Sequence, residues 1–153
     1  MPNPPETPAA IALDDQFRAA GTHAATWLAE TGRGQGVRTP AHQAPRWQRD
    51  TAAAMQAAVK AGTADYCRHL RGGPQPVVLH AERPDLLLCR DCHVAALADR
   101  TCLDCGLPAG TRSPEGGHED VIRGPVAIYS RVRCPACGLR EDPLHGTFGN
   151  GGQ

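Results

Sequence analysis

Large apolar side chains are scarce in this chain of 153 residues. Leu, Ile, Val and Phe together number 25, and the aromatic residues are two each of Trp, Tyr and Phe. These 25 residues make up less than the ~20% of the chain below which a protein of high net charge is expected to be disordered. The net charge here is zero, because 16 basic and 16 acidic residues balance. Disorder therefore does not follow. Because the abundant Ala, Gly and Pro bury little surface each, we expect something besides hydrophobic burial to stabilise the fold.

Two further absences exclude whole classes of protein. No apolar run approaches the ~20 residues of a membrane-spanning helix. The first residues contain neither the basic nor the apolar segment of a secretory signal. We therefore expect a cytoplasmic protein with no membrane partner. The zero formal net charge also argues against nucleic-acid binding by bulk electrostatics.

Cysteine is plentiful by contrast, and its spacing indicates metal binding. The first 66 residues contain no cysteine and the remainder contain seven. Six of them form three C-x2-C pairs, which are Cys89/Cys92, Cys102/Cys105 and Cys134/Cys137. Two intervening residues let one tight turn direct both sulfurs at a tetrahedral metal about 2.3 Å away. The seventh cysteine, Cys67, lies two residues before His69, and seven thiols with one histidine are enough ligands for two zinc ions.

Other uses of these cysteines fit the sequence less well. A disulfide framework leaves one cysteine over and requires export. The string from Cys89 to His93 matches the haem-attachment pattern C-x-x-C-H, which also normally requires export. Thioredoxin-like chemistry needs a helix after the pair, whereas Gly138 follows Cys137. An iron–sulfur cluster uses the same thiolates and stays open as a redox or sensor alternative. Zinc is the favoured metal.

Composition and periodicity divide the chain into four segments. Residues 1–10 are rich in proline and are predicted to be a disordered tail. Apolar residues at three- and four-residue spacing predict one helix over 11–31 and another from about 46 to 61, so 11–65 is interpreted as a helical hairpin. Residues 66–142 are the predicted two-zinc domain, and 143–153 a flexible tail.

The apolar pattern changes from helical to alternating after residue 76. Residues 77–80 and 86–88 flank a turn and predict a β-hairpin that leads into Cys89. Residues 93–99 have the pattern of one or two helical turns. Residues 126–132 predict a strand that leads into Cys134, and alternation places one set of side chains on a single face. We interpret this face as a partner-binding surface for nucleic acid or protein, formed by Tyr129, Arg131 and Arg133.

The ligand pairs give the chain a resemblance to a known class of proteins. The chain resembles zinc-ribbon and treble-clef zinc-finger proteins, and in particular four-pair Cys/His zinc-binding proteins of high-GC bacteria and their phages. The strings that carry the resemblance are Cys67-x-His69, Cys89-x2-Cys92, Cys102-x2-Cys105-Gly106 and Cys134-Pro-x-Cys137-Gly138. It covers about residues 66–140 and implies two structural zinc ions and a binding or scaffold role, with no activity attached. The 67/69 pair departs from the pattern, with one intervening residue and a histidine.

The histidine ligand and the pairing of the ligands stay open at this stage. Residues i and i+2 of an intact helix point to nearly opposite sides, so Cys67 and His69 share a metal only if the second helix ends near Tyr66. Otherwise His80 or His93 is the better ligand. Sequential sites join 67/69 with 89/92 and 102/105 with 134/137. A cross-brace joins the first pair with the third and the second with the fourth, and a compact ribbon joins 89/92 with 102/105.

One string indicates catalysis instead. His80-Ala81-Glu82 matches the H-x-E half of zinc nucleobase deaminases, in which the histidine binds zinc and the glutamate transfers protons. The other half, P-C-x-x-C, is missing, because no proline precedes the first cysteine of any pair. This deaminase-like reading, with His80 and Glu82 as the active groups, stays an alternative.

The sequence as a whole predicts an α+β protein. A helical pair precedes a small zinc-ribbon-like β domain built on CxxC knuckles. The expected function is that of a zinc-stabilised binding module without catalytic activity of its own and without a small-molecule substrate. Its partner is a protein or a nucleic acid.

Overall fold

The computed structural model describes residues 8–30, 41–72, 74–124 and 127–140 of the chain. In these residues a five-stranded mixed sheet is flanked by helices. The α-helices are α1 (Pro8–Glu30), α2 (Arg46–Ala61), α3 (Arg90–Ala96) and α4 (Pro135–Gly138). Short 3-10 turns lie at Ala41–Gln43, Arg68–Gly72 and Leu97–Asp99. The strands are β1 (Asp65–Tyr66), β2 (Val78–His80), β3 (Arg83–Leu88), β4 (His118–Arg123) and β5 (Ile128–Arg133). The predicted α+β class is confirmed.

The centre of the sheet joins two segments that are far apart in the sequence. The strands lie in the order β1-β3-β2-β5-β4. β2 pairs antiparallel with β3, which confirms the predicted hairpin, and parallel with β5, where Val78 lies opposite Ile128. β4 pairs antiparallel with β5 and forms one edge of the sheet, although the sequence analysis did not predict this strand. β3 leads into the pair that begins at Cys89, and β5 leads into the pair that begins at Cys134.

Helix α1 packs on one face of the sheet through its last turns. Trp27 and Leu28 are buried there against Val78 of β2 and Ile128 of β5. Successive residues of a strand point to opposite faces, so α1 covers the even-numbered positions of these two strands. None of the described helices has the combination of length and apolar character that a membrane crossing requires.

Helix α2 packs on the opposite face. Its Trp47 is buried against Leu79 of β2 and Tyr129 of β5, which are odd-numbered positions. The prediction that the two helices form a hairpin is therefore not confirmed. Each helix instead uses its own tryptophan to cover one face of the sheet.

Helix α2 ends at Ala61 because Gly62 adopts the left-handed conformation, with φ of 71°. A residue with a Cβ atom is disfavoured in this conformation, whereas glycine adopts it freely. The following amide of Thr63 donates to the carbonyl of Ala58 at 2.9 Å, which closes the helix. The helix therefore ends before Tyr66, and this meets the condition under which Cys67 and His69 can approach the same metal.

Candidate metal centres

Two side-chain clusters each gather four potential metal ligands. The first contains Cys67, His69, Cys89 and Cys92, and the second contains Cys102, Cys105, Cys134 and Cys137. Within each cluster the ligand atoms all lie within 4.8 Å of one another. These are the eight residues that the sequence analysis singled out, grouped as the sequential pairing requires and not as the cross-brace or the compact ribbon.

The edge of the sheet and the start of α3 bring the first cluster together. β1 pairs in parallel with β3, and the amide of Cys67, which follows β1, donates to the carbonyl of Leu87 at 3.0 Å. Cys89 follows β3 as the N-cap of α3, and Cys92 lies in the first turn of that helix. His69 lies in the 3-10 turn after Cys67. The hairpin thus delivers Cys89 to the site, as the sequence predicts.

The donor atoms of the first cluster are arranged around a common centre. Nδ1 of His69 lies 3.2 Å from Sγ of Cys92 and 3.8 Å from Sγ of Cys89. The amide of Cys89 donates to Sγ of Cys67 at 3.1 Å, and the amide of Cys92 donates to Sγ of Cys89 at 3.5 Å. Amide donors directed at sulfur stabilise a thiolate, which is the form that binds a metal.

The thiols of the first cluster differ in how readily they ionise. Desolvation by burial acts to raise the pKa of Cys67, but hydrogen bonds from Cys89, Cys92 and His69 together outweigh it, so the pKa is lowered from its ordinary value. Burial, together with the neighbouring thiols of Cys89 and Cys67, raises the pKa of Cys92 to about 11. Negative charge at one sulfur therefore opposes ionisation of the next, and a bound cation removes this opposition.

The second cluster lies between the loop after α3 and the end of β5. Cys134 is the N-cap residue of the short helix α4, which contains Cys137. The amide of Leu103, within the 102/105 knuckle, donates to the carbonyl of Val132 at 2.9 Å and so attaches this knuckle to β5. Sγ of Cys105 lies 3.7 Å from Sγ of Cys134.

The sulfur separation in the second cluster fits a shared metal. Four sulfurs at the usual Zn–S distance of ~2.3 Å in a tetrahedron lie about 3.8 Å from one another, whereas a disulfide requires about 2.05 Å. Both donor sets are soft, with thiolate alone or thiolate and imidazole, and each supplies four ligands. The two clusters can therefore each hold one metal ion.

Ionisation in the second cluster is also uneven. Burial acts to raise the pKa of Cys102, but hydrogen bonds from the backbone at Cys134, Cys105 and Asp104 outweigh it and lower the pKa to about 6. A hydrogen bond with the Cys134 thiol, followed by burial, raises the pKa of Cys137 to about 12. One thiolate thus forms easily and the last forms only with compensation, which a divalent cation provides.

The two alternative histidine ligands lie outside both clusters. Nε2 of His80 and Nδ1 of His93 form a buried hydrogen bond of 2.8 Å, and Nε2 of His93 lies 3.4 Å from Oε1 of Glu119. Burial, the charge of Arg100 and the neighbouring His93 lower the pKa of His80 to about 2, so this imidazole stays neutral. Among the described residues, His69 is the histidine that joins the cysteines.

The other half of the H-x-E string belongs to a buried ion pair. Nε and Nη2 of Arg100 donate to the two carboxylate oxygens of Glu82, at 2.5 and 2.8 Å. Arg100 also donates to Oγ of Ser130 and to Glu119, so one guanidinium ties the β2/β3 turn to β4 and β5. This group is not predictable from the sequence, because nothing in the local pattern distinguishes a buried arginine from an exposed one.

The predicted partner-binding face is covered and its charges are paired. Tyr129 is buried beneath Trp47, and the guanidinium of Arg131 lies 5.0 Å from the centroid of the same ring. Asp120 accepts from Nε of Arg131 at 2.7 Å and lies 3.2 Å from Nη2 of Arg133. Helix α2 occupies the face that the strand alternation suggested was open to a partner.

Two exposed leucines follow the knuckles of the second cluster. The chain reads Cys-Gly-Leu at both places, and Leu107 and Leu139 are 61% and 86% exposed. The repeated string is visible in the sequence, but the exposure of its leucines is not. Exposed apolar side chains indicate a partner-binding site only where they form a contiguous patch.

Comparisons of the chain with protein-family models, with curated proteins and with solved structures find no match.

Proposed function

We propose that the chain is a binding module stabilised by two structural zinc ions, without catalytic activity of its own. The observation that carries this proposal is the grouping of eight soft ligands into two sets of four. Zinc suits such sets because it accepts thiolate and imidazole in a tetrahedral arrangement. When bound, it would hold the two loops of each cluster together.

Closed coordination supports a structural and not a catalytic role. A catalytic zinc keeps a position for water or substrate, whereas four side chains fill the coordination sphere of a structural one. The groups of the deaminase-like string are engaged elsewhere, His80 with His93 and Glu82 with Arg100. The zinc-binding module is therefore the better supported function.

Metal stoichiometry tests the proposal. We expect two zinc ions per chain by elemental analysis and native mass spectrometry of untagged protein purified under reducing conditions. Cys89→Ser and Cys134→Ser should each leave one zinc, because each removes one ligand from a different cluster. His118→Asn, which changes an exposed histidine outside both clusters, should keep two. Iron with visible absorbance, or no metal, would contradict the proposal.

A protein partner is better supported than a nucleic acid. Four thiolates with zinc carry about −2 and three thiolates with a neutral histidine about −1, so the loaded chain is near −3. Arg131 and Arg133 are already paired with Asp120. Such a surface has little attraction for phosphate, whereas Leu107 and Leu139 offer apolar contacts to a protein.

The two exposed leucines make a specific prediction. The double variant Leu107→Ser, Leu139→Ser should keep two metals and its circular dichroism spectrum, and should lose crosslinks to its protein partner in cells. Val59→Ser with Val94→Ser, which removes exposed apolar groups elsewhere, is the matched control and should keep them. Retained crosslinks in the leucine variant, or salt-dependent binding of labelled oligonucleotides by the unmodified chain, would overturn this assignment.

A further inference from the structure

The four cysteines of the second cluster differ in exposure. Cys105 is exposed, whereas Cys102, Cys134 and Cys137 are buried. Cys105 is followed by Gly106, with φ of 73°, and by Leu107, which is 61% exposed. A small reagent in solvent therefore meets one sulfur of this cluster before the others.

The first cluster is built differently on its exposed side. Its exposed ligand is His69, while Cys67 and Cys92 are half-buried and Cys89 is buried. An imidazole is not the group that reacts with peroxides, whereas a thiolate is. The two clusters thus offer different chemistry to the same reagent.

A second thiol lies within reach of Cys105. Its Sγ is 3.7 Å from Sγ of Cys134, which belongs to the other knuckle of the cluster. A disulfide requires about 2.05 Å, so the two sulfurs must approach by less than ~2 Å to form one. A bond between them would join the two knuckles directly.

We propose that Cys105 is a peroxide-reactive site, with Cys134 as its resolving cysteine, so that oxidation empties the second cluster and leaves the first one loaded. The release of metal rests on the proposed zinc function, but formation of the disulfide does not. The geometry of one exposed and one buried sulfur across two knuckles carries the proposal.

The reaction balances with a peroxide as the oxidant. The thiolate of Cys105 attacks one oxygen of hydrogen peroxide, the O–O bond breaks, and a sulfenic acid and hydroxide form. The thiolate of Cys134 then attacks the sulfenic sulfur, the S–O bond breaks, and a disulfide and a second hydroxide form. Two thiolates lose two electrons, and the peroxide gains them. Two thiolates then remain in the cluster, too few to retain a tetrahedral zinc, which leaves as the dication.

The test is oxidation of the two-metal protein by a small excess of hydrogen peroxide. Native mass spectrometry should show loss of one zinc with a gain of one disulfide, and peptide mapping after alkylation should place that disulfide between Cys105 and Cys134. In Cys105→His, which keeps four ligands, loss of the second-cluster zinc should be at least about tenfold slower, because the exposed nucleophile is gone. His118→Asn, which changes an exposed residue outside both clusters, should react as the unmodified chain does.

Several outcomes would overturn the proposal. A first disulfide among Cys67, Cys89 and Cys92, a disulfide from Cys105 to another cysteine, or equal loss of both metals would each do so. Mapping on the unmodified chain decides the question even if Cys105→His fails to fold. Protein purified without zinc would defeat the proposed function, while the disulfide map would still test Cys105 and Cys134.

Discussion

Removal of both metals by excess chelator is expected to unfold the sheet, not merely to loosen two loops. Structural zinc contributes roughly 10–16 kcal/mol of apparent binding free energy per site, which matches or exceeds the ~5–15 kcal/mol stability of a typical domain. The described core offers little to replace it, because it consists of three small clusters. One of these is largely the second candidate metal centre, with Cys102, Cys134 and Cys137 packed beside Ala109 and Val132.

The two tryptophans allow this unfolding to be followed on each face separately. They are the only two in the chain, and the structure buries Trp27 on one face of the sheet and Trp47 on the other. Chelation should shift the fluorescence of both to longer wavelength as they meet water, and far-ultraviolet circular dichroism should lose its β signal. In Trp27→Phe the remaining tryptophan reports on the face covered by α2, and in Trp47→Phe it reports on the face covered by α1. Addition of zinc under reducing conditions should restore both signals.

The control for the chelation experiment is the same chelator with zinc already in excess over it, which should leave both spectra unchanged. A β signal that persists after complete removal of metal, verified by elemental analysis, would contradict the prediction. It would mean that burial of the two tryptophans and their neighbours is sufficient to hold the sheet.

Replacement of Arg100 by methionine is expected to lower the free energy of unfolding by about 3–5 kcal/mol, since one partner of a buried ion pair is removed. The Arg100 side chain is 2% exposed, and Glu82 and Glu119 both depend on it. Without the guanidinium, the nearly buried carboxylate of Glu82 loses both of the hydrogen bonds that Arg100 donates, while Glu119 keeps its contacts with Ser130 and His93. Arg100→Lys should recover only part of the loss, because an ammonium cannot donate to both oxygens of Glu82 in the same planar arrangement.

A surface pair provides the matched control for Arg100. Arg112 and Asp99 form an ion pair of 3.1 Å with side chains 76% and 71% exposed. Arg112→Met should therefore cost no more than about 1 kcal/mol. Denaturant unfolding with zinc in excess compares the variants at constant metal occupancy. Equal losses for Arg100→Met and Arg112→Met would show that the buried pair contributes no more than an exposed one.

The candidate site was more predictable from sequence than the packing around it. A C-x2-C pair is local chemistry, because two residues of spacing already determine that both sulfurs can reach one metal. The hairpin before Cys89 and the helical turns after it also follow from short-range pattern, and β2, β3 and α3 confirm them. The grouping into two sites did not follow, because it depends on β1 pairing with β3 and on a knuckle attached to β5.

The packing of the helices could not be predicted because periodicity shows which side chains are apolar but not what covers them. Trp47 marks an apolar side of α2, yet the sequence alone could not show that this side covers Tyr129 and Arg131. Arginines that alternate along a strand indicate a solvent-exposed face as long as the element that covers this face is unknown. The partner Asp120 lies on β4, a strand that the sequence analysis did not predict.

The parallel pairing of β2 with β5 determines when the chain can complete its fold during synthesis. Leu28 and Trp27 of α1 are made early, but one of the residues that buries them, Ile128, emerges from the ribosome about a hundred residues later. Until then the sheet that α1 and α2 cover lacks β4 and β5. The first cluster is complete once Cys92 has emerged, whereas the second needs Cys137. A nascent chain therefore has all four ligands of its first candidate metal centre well before the sheet is whole.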